Sequence, residues 1–146
     1  MERNQFTPEQ TDWIEGLESD RFSQTRNYLK RKHKGEDDFS YCCLGVATEL
    51  FDPASPALKM IPTGPATILS WQGVFSEGDE AGEQYAPTGV WENLNLKSEY
   101  GELKYPFEYP TLVEMNDSGK SFKEIAKFIR DNPWAVFTNF DKPEGV

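Results

Sequence analysis

A chain of 146 residues with 37% hydrophobic and 27% charged side chains falls short of the usual apolar share of about 45–50%, yet it carries ten Phe, six Tyr and four Trp. That ring area suits one modest core and excludes a coiled coil, a collagen-like repeat and a wholly disordered chain. The net charge of −10 disfavours extended duplex DNA as a partner, because such binding neutralises many phosphates at once.

The opening residues 1–5 show no basic run with an apolar stretch behind it. No window approaches the ~18–20 apolar residues of a membrane span, so no membrane association or export is expected. Thr7, Pro8 and Gln10 have the form of a capping box with Pro in the first turn, and Trp13, Ile14 and Leu17 share one face, which predicts a helix over 8–19. Alternation around Tyr28–Lys32 and again at Phe39–Tyr41 predicts a β-hairpin of strands 26–32 and 38–42 with Gly35 at its tip. The run Cys43–Phe51 reads as a helix ended by Asp52 and Pro53. Pro53, Pro56, Pro62 and Pro65 exclude a long helix or central strand through 52–65. Ile68, Leu69 and Trp71 fit a brief strand, and 75–84 reads as an exposed acidic loop lacking the Asp and Gly spacing of a calcium loop.

Further along, 87–94 predicts a short helix, Glu99-Tyr100-Gly101 a turn, and 110–117 a helix broken by Ser118-Gly119. Ser121 and Glu124 form a second capping box ahead of a helix over 122–131. Asn132-Pro133 ends that helix, Trp134–Phe137 fits an edge strand, and 138–146 a flexible tail. The expected architecture is α+β in a single compact domain spanning 1–146. It has an N-terminal helix, a β-hairpin, central Pro/Gly-rich loops with short strands, and a C-terminal helix pair.

Charge is arranged in blocks. Residues 1–20 sum to −5, 21–34 to +6, 35–119 to −12 and 120–146 to +1. A positive stripe on a negative body attracts an anion locally and repels polyanions at long range. Within the stripe, Arg26, Tyr28, Lys30, Arg31 and Lys32 interleave charge and ring. Arginine forks bind phosphate and aromatic faces stack bases, so these residues, with Trp71 and Trp91 as further platforms, are the candidate ligand site. The alternative is a charged strand face flanking core aromatics.

The remaining constellations point less sharply to chemistry. Cys42 and Cys43 stand at a helix start, where a thiolate is favoured. The only histidine, His33, lies at the hairpin tip, far from them, and cysteine is also a common core residue. Two Cys and one His are a poor zinc set, no other metal or cofactor motif occurs, and an intracellular setting fits so few cysteines. Phosphate-loop, dinucleotide, hydrolase-elbow and zinc-protease patterns are all missing, and acids such as Asp37-Asp38 or Glu102 with Glu108 are too numerous to select a catalytic pair. The helix pair 110–117 and 122–131, with Lys120, Lys123, Lys127 and Arg130 outward, has a helix-turn-helix outline that is equally a common packing unit.

Tyr41-Cys42-Cys43-Leu44-Gly45-Val46, the Trp13–Leu17 helix and the element from Leu112 through Asn116-Asp117, Gly119, Ser121-Phe122 and Glu124-Ile125-Ala126 together resemble a group of small proteins encoded by tailed phages and prophages. Pro87–Leu96 is similar to the group's Pro, Val, Trp and Leu region, with Trp91 displaced. The resemblance implies origin more than activity, and carries over no catalytic residue. Small accessory phage proteins often act by binding, so the expectation is a non-enzymatic protein in the cytoplasm of an infected bacterium that counters host antiviral defence. It would do so by sequestering a small anionic nucleotide signal on the Arg26–Lys32 region. Two other readings stand beside it: an acidic, nucleic-acid-mimic-like inhibitor of a basic host protein, and a helix-turn-helix regulator.

Overall fold

The computed structural model describes residues 3–33, 38–62, 78–81, 85–104 and 107–145. Helix α1 (Pro8–Glu18) begins as its sequence dictates. Thr7 Oγ1 accepts from the Gln10 amide at 3.1 Å and Gln10 Oε1 accepts from the Thr7 amide at 2.9 Å. Gln10 does more than cap, because its fully buried side-chain amide also donates to the Leu94 carbonyl at 2.9 Å and to Asn139 Oδ1 at 2.8 Å. A buried amide needs such partners to offset its lost hydration.

After α1 come β1 (Ser23–Gln24), β2 (Lys30–His33) and β3 (Ser40–Tyr41), then α2 (Cys43–Phe51). The expected hairpin is present, with Lys30 opposite Tyr41 and Arg31 opposite Ser40. Its first strand starts at Lys30 rather than 26, because Asn27 takes a left-handed φ of 71° and Leu29 turns into the core. A 3-10 turn (Pro56–Leu58) leads to β4 (Ile61–Pro62), and β5 (Gly78–Ala81) completes a five-stranded sheet in the order β1-β3-β2-β5-β4. β1 runs parallel to β3 and the other pairings are antiparallel.

β5 corrects the expected acidic loop at 75–84. Residues 78–81 form an inner strand whose register sets Glu80 opposite Arg31 and Asp79 opposite Lys32. Pairing with β2 and β4 on either side makes 78–81 a strand that local β-propensity alone would not select. The brief strand expected at Ile68–Trp71 lies outside the described residues.

Helices α3 (Thr88–Asn93), α4 (Leu112–Asp117), α5 (Phe122–Asp131) and α6 (Pro133–Val136) follow. The last corrects the expected edge strand at Trp134–Phe137. Pro133 ends α5 and, having no N–H to satisfy, opens α6 at its first turn, leaving only Phe137 to bridge Leu96. The start of the expected tail is docked: Asn139 and Phe140 are buried, and Asp141 accepts from Arg3 and Asn4. The result is a compact α+β fold in which α1, α2, α4 and α5 enclose Trp13, Leu17, Leu44, Leu112, Ile125 and Ile129. No helix among the described residues is long and apolar enough to cross a membrane.

α1 and α5 form the most extensive helix contact, closed at its rim by two hydrogen bonds from Arg130 to Glu18, 2.5 and 2.8 Å. Those bonds hold the Glu18 carboxyl below its ordinary range. Both side chains are more than a third exposed, 42% and 37%, so water screens the pair heavily. Arg130→Ala is expected to cost no more than about 1 kcal/mol at neutral pH. A lowered carboxylate pKa stabilises the fold above the ordinary Glu value, and the contribution is lost as pH falls through the lowered value. The gap between the urea midpoints of wild type and Arg130→Ala should therefore hold at neutral pH and close only as pH falls below the ordinary Glu range.

Candidate functional site

The basic stripe is built largely on β2, and the fold surrounds its cations with rings and acid. Lys30 Nζ sits 3.8 Å from Glu49 Oε1, 4.3 Å from the centre of the Phe39 ring and 5.7 Å from that of Tyr41. The Tyr41 hydroxyl donates to the same Glu49 oxygen at 3.2 Å, and burial, with Glu49 adding to it, keeps that hydroxyl protonated far above its ordinary range. Lys32 Nζ lies 5.8 Å from the Phe39 ring centre, and the Arg31 guanidinium 5.3 Å from that of Tyr28. These are cation–π distances, so Tyr28, the one expected stacking ring within the stripe, already carries Arg31, while Phe39 and Tyr41 carry the lysines.

The structure therefore divides the stripe into two groups, Lys30 and Lys32 with Phe39, Tyr41 and Glu49, and Arg31 with Tyr28, because successive residues of β2 face opposite sides of the sheet. The other predicted site residues lie elsewhere. Arg26 is exposed and rests over the turn between α4 and α5, where a Cβ built on Gly119 would be 3.3 Å from its Nη2. Trp91 packs half-buried from α3 onto the core, and Trp71 is outside the described residues. Two signals in the sequence pointed to the missed partners. Phe39 continues the alternation that picked out Tyr41, and Glu49 is the only charged residue in the apolar run Cys43–Phe51, where a carboxylate calls for a cation.

The cysteines serve the fold. Cys42 is the N-cap of α2, its Sγ accepting from the Gly45 amide at 3.3 Å. Cys43 donates from its amide to Asn116 Oδ1 at 3.2 Å and from its thiol to the Leu112 carbonyl at 3.6 Å, while its own carbonyl accepts from Trp13 Nε1 at 2.9 Å. Burial pushes the Cys42 thiol up to about 12 and raises Cys43 well above its usual value. Both are thus protonated at neutral pH, the opposite of an activated nucleophile. A thiol-reactive disulfide reagent is expected to leave the native protein unmodified over minutes and to label both cysteines once urea unfolds it; rapid labelling of either in the native state would contradict this placement.

The outward cations of the helix pair are matched by acids. Lys123 reaches Asp20 at 3.3 Å, Lys127 reaches Asp131 at 2.7 Å, Lys120 lies 3.8 Å from Glu124, and Arg130 holds Glu18. Beside α5, Phe107, Tyr109, Met115 and Phe128 form the apolar part of a groove of about 410 Å³ whose rim mixes Lys120 and Lys127 with acids. Asp12 and Glu15 of α1 edge a second hollow of about 440 Å³ with Arg21 and Phe51. Among the described residues no group of three or more His, Cys, Asp or Glu is placed to hold a metal ion.

The chain matches no family model, and no curated protein or solved structure is significantly similar to it.

Proposed function

We propose that this protein acts by binding, as a phage-type accessory factor that occupies a basic surface of a host protein, a component of antiviral defence being the expected target. One observation carries the choice of a protein over a small anionic ligand. The cations selected as an anion grip are engaged within the fold, Lys30 by Glu49 and Phe39, Arg31 by the Tyr28 ring. A nucleotide entering there must displace cation–π contacts worth about 0.5–2 kcal/mol each before it gains anything. The net charge of −10, by contrast, attracts a basic protein from a distance and speeds its encounter. The phage resemblance supports the setting, since occupying a host factor needs no catalytic apparatus.

The test is affinity capture from bacterial lysate followed by measurement with the purified partner. The expected partner is basic at the contacting surface, and its affinity falls by about tenfold or more between 0.05 and 0.5 M salt, as screening of opposed charges requires. A partner whose affinity is indifferent to salt would count against the reading.

A further inference from the structure

Among the described residues three large apolar side chains are markedly exposed: Phe39 at 37%, Tyr85 at 41% and Tyr100 at 41%. Phe39 is covered by Lys30 and Lys32. Tyr85 and Tyr100 instead meet each other, edge to face, with ring centres 5.8 Å apart. Isolated exposed rings are ordinary, but two in contact make a patch of the kind found at the centre of protein interfaces.

The backbone beneath this pair is fixed. The Ala86 amide donates to the Glu99 carbonyl at 2.9 Å, locking the two ring-bearing segments together. The Gly101 amide donates to the Ser98 carbonyl at 3.1 Å, and Ser98 Oγ accepts from the amides of Tyr100 and Glu102 at 3.2 and 3.3 Å. Gly101 takes a left-handed φ of 70°, which lets its carbonyl accept from Leu112 at 2.9 Å while the Tyr100 carbonyl accepts from Val113 at 3.3 Å. A preorganised aromatic anchor loses little entropy when it binds. Exposed carboxylates stand on the same stretch: residues 85–104 carry Glu92, Glu99 and Glu102 against Lys97 and Lys104, Glu102 is exposed, and the exposed Glu114 lies in the first turn of α4, whose N-cap Thr111 bridges Glu102.

We propose that the Tyr85–Tyr100 patch is the contact surface for an arginine-bearing segment of a basic protein partner. Guanidinium planes stack on tyrosine faces and fork to carboxylates, so one side-chain type satisfies both features of the surface. This rests on the basic-partner reading above and gives it a location.

The probe is an arginine-rich decapeptide, compared with the same peptide carrying lysine and with an acidic one, titrated into the full chain bearing 3-fluorotyrosine. The ¹⁹F resonances of Tyr85 and Tyr100 are expected to move with the arginine peptide, less with lysine and not with the acidic peptide, while buried Tyr41 stays still. The double substitution Tyr85→Ala with Tyr100→Ala should weaken arginine-peptide binding about tenfold or more, and Tyr28→Ala should not. Undiminished binding by the double variant, or shifts confined to other tyrosines, overturns the patch and leaves the basic-partner reading intact. No binding of the arginine peptide also overturns the patch, and the salt dependence of the captured partner then judges the broader reading by itself. The ¹⁹F readout on unsubstituted positions keeps the test decisive even if the double variant folds poorly.

Discussion

Replacing Gly45 by alanine is expected to destabilise the protein by about 4 kcal/mol or more, among the largest effects of a single methyl group. A Cβ at this position would lie 1.7 Å from the Leu29 carbonyl oxygen and 2.7 Å from its carbon. Neither atom belongs to a flexible side chain. Relief requires α2 to retreat from the backbone leading into β2, and that strains the 3.3 Å hydrogen bond from the Cys42 amide to the same Leu29 oxygen. For a chain of this size the melting midpoint should fall by about 10 °C. Gly89 in α3 is the matched control. A Cβ added there would meet nothing within 4 Å, so Gly89→Ala should be neutral or stabilise by up to about 1 kcal/mol through helix propensity. Equal melting midpoints for the two variants would refute the close packing of α2 on Leu29.

Asn116→Ala should cost about 3–5 kcal/mol, because one fully buried amide joins three elements. Its Oδ1 accepts from the Cys43 amide at 3.2 Å and from Gln24 Nε2 at 2.8 Å, and its Nδ2 donates to the Thr25 carbonyl at 2.9 Å and to Asp117 Oδ1 at 3.2 Å. Truncation leaves the Cys43 N–H and the Thr25 carbonyl buried without this partner, and each orphaned group costs about 1–3 kcal/mol. Urea denaturation is the check. A loss below about 1 kcal/mol would mean that water or a rearranged neighbour replaces the amide.

These two residues stand in two segments that the fold joins. Tyr41–Val46 and the Asn116-Asp117 element are distant in sequence, yet the Cys43 amide donates to Asn116 and the Cys43 thiol to Leu112. Asp117 Oδ1 in turn accepts from the Asn27 amide at 3.1 Å, beside the left-handed Asn27 that turns the chain toward β2. The motifs specify one packed junction, so they speak to a fold more readily than to an activity.

What the sequence made legible follows the range of each signal. α1 and α5 carry both halves of their capping boxes within four residues, and the structure forms both. Strands of two residues, such as β1, are too short to show alternation, and β5 is Gly-Asp-Glu-Ala, which no β-propensity scale favours. Pairing with β2 selects it, and pairing is not local information. Pro133 was legible as a helix end, but its equal fitness to begin one made Trp134–Phe137 look extended. The candidate site divides in the same way. Lys30 and Lys32 meet over Phe39 and Arg31 meets Tyr28, whereas Arg26 is carried to the α4–α5 turn and Trp91 to the core. Above all, the ring and carboxylate partners of the cations arrive from β3 and α2 and from the residue before β3, at a distance that stripe-by-stripe charge arithmetic does not see.

Calorimetric titration of the purified chain with a panel of anionic nucleotides, cyclic dinucleotides and ADP-ribose-type compounds included, tests the central claim most directly. Cations held by Tyr28, Phe39 and Glu49 should yield no saturable heat with any of them at physiological salt. Saturable binding that Arg31→Ala abolishes would contradict the claim and make the β2 cluster a ligand site.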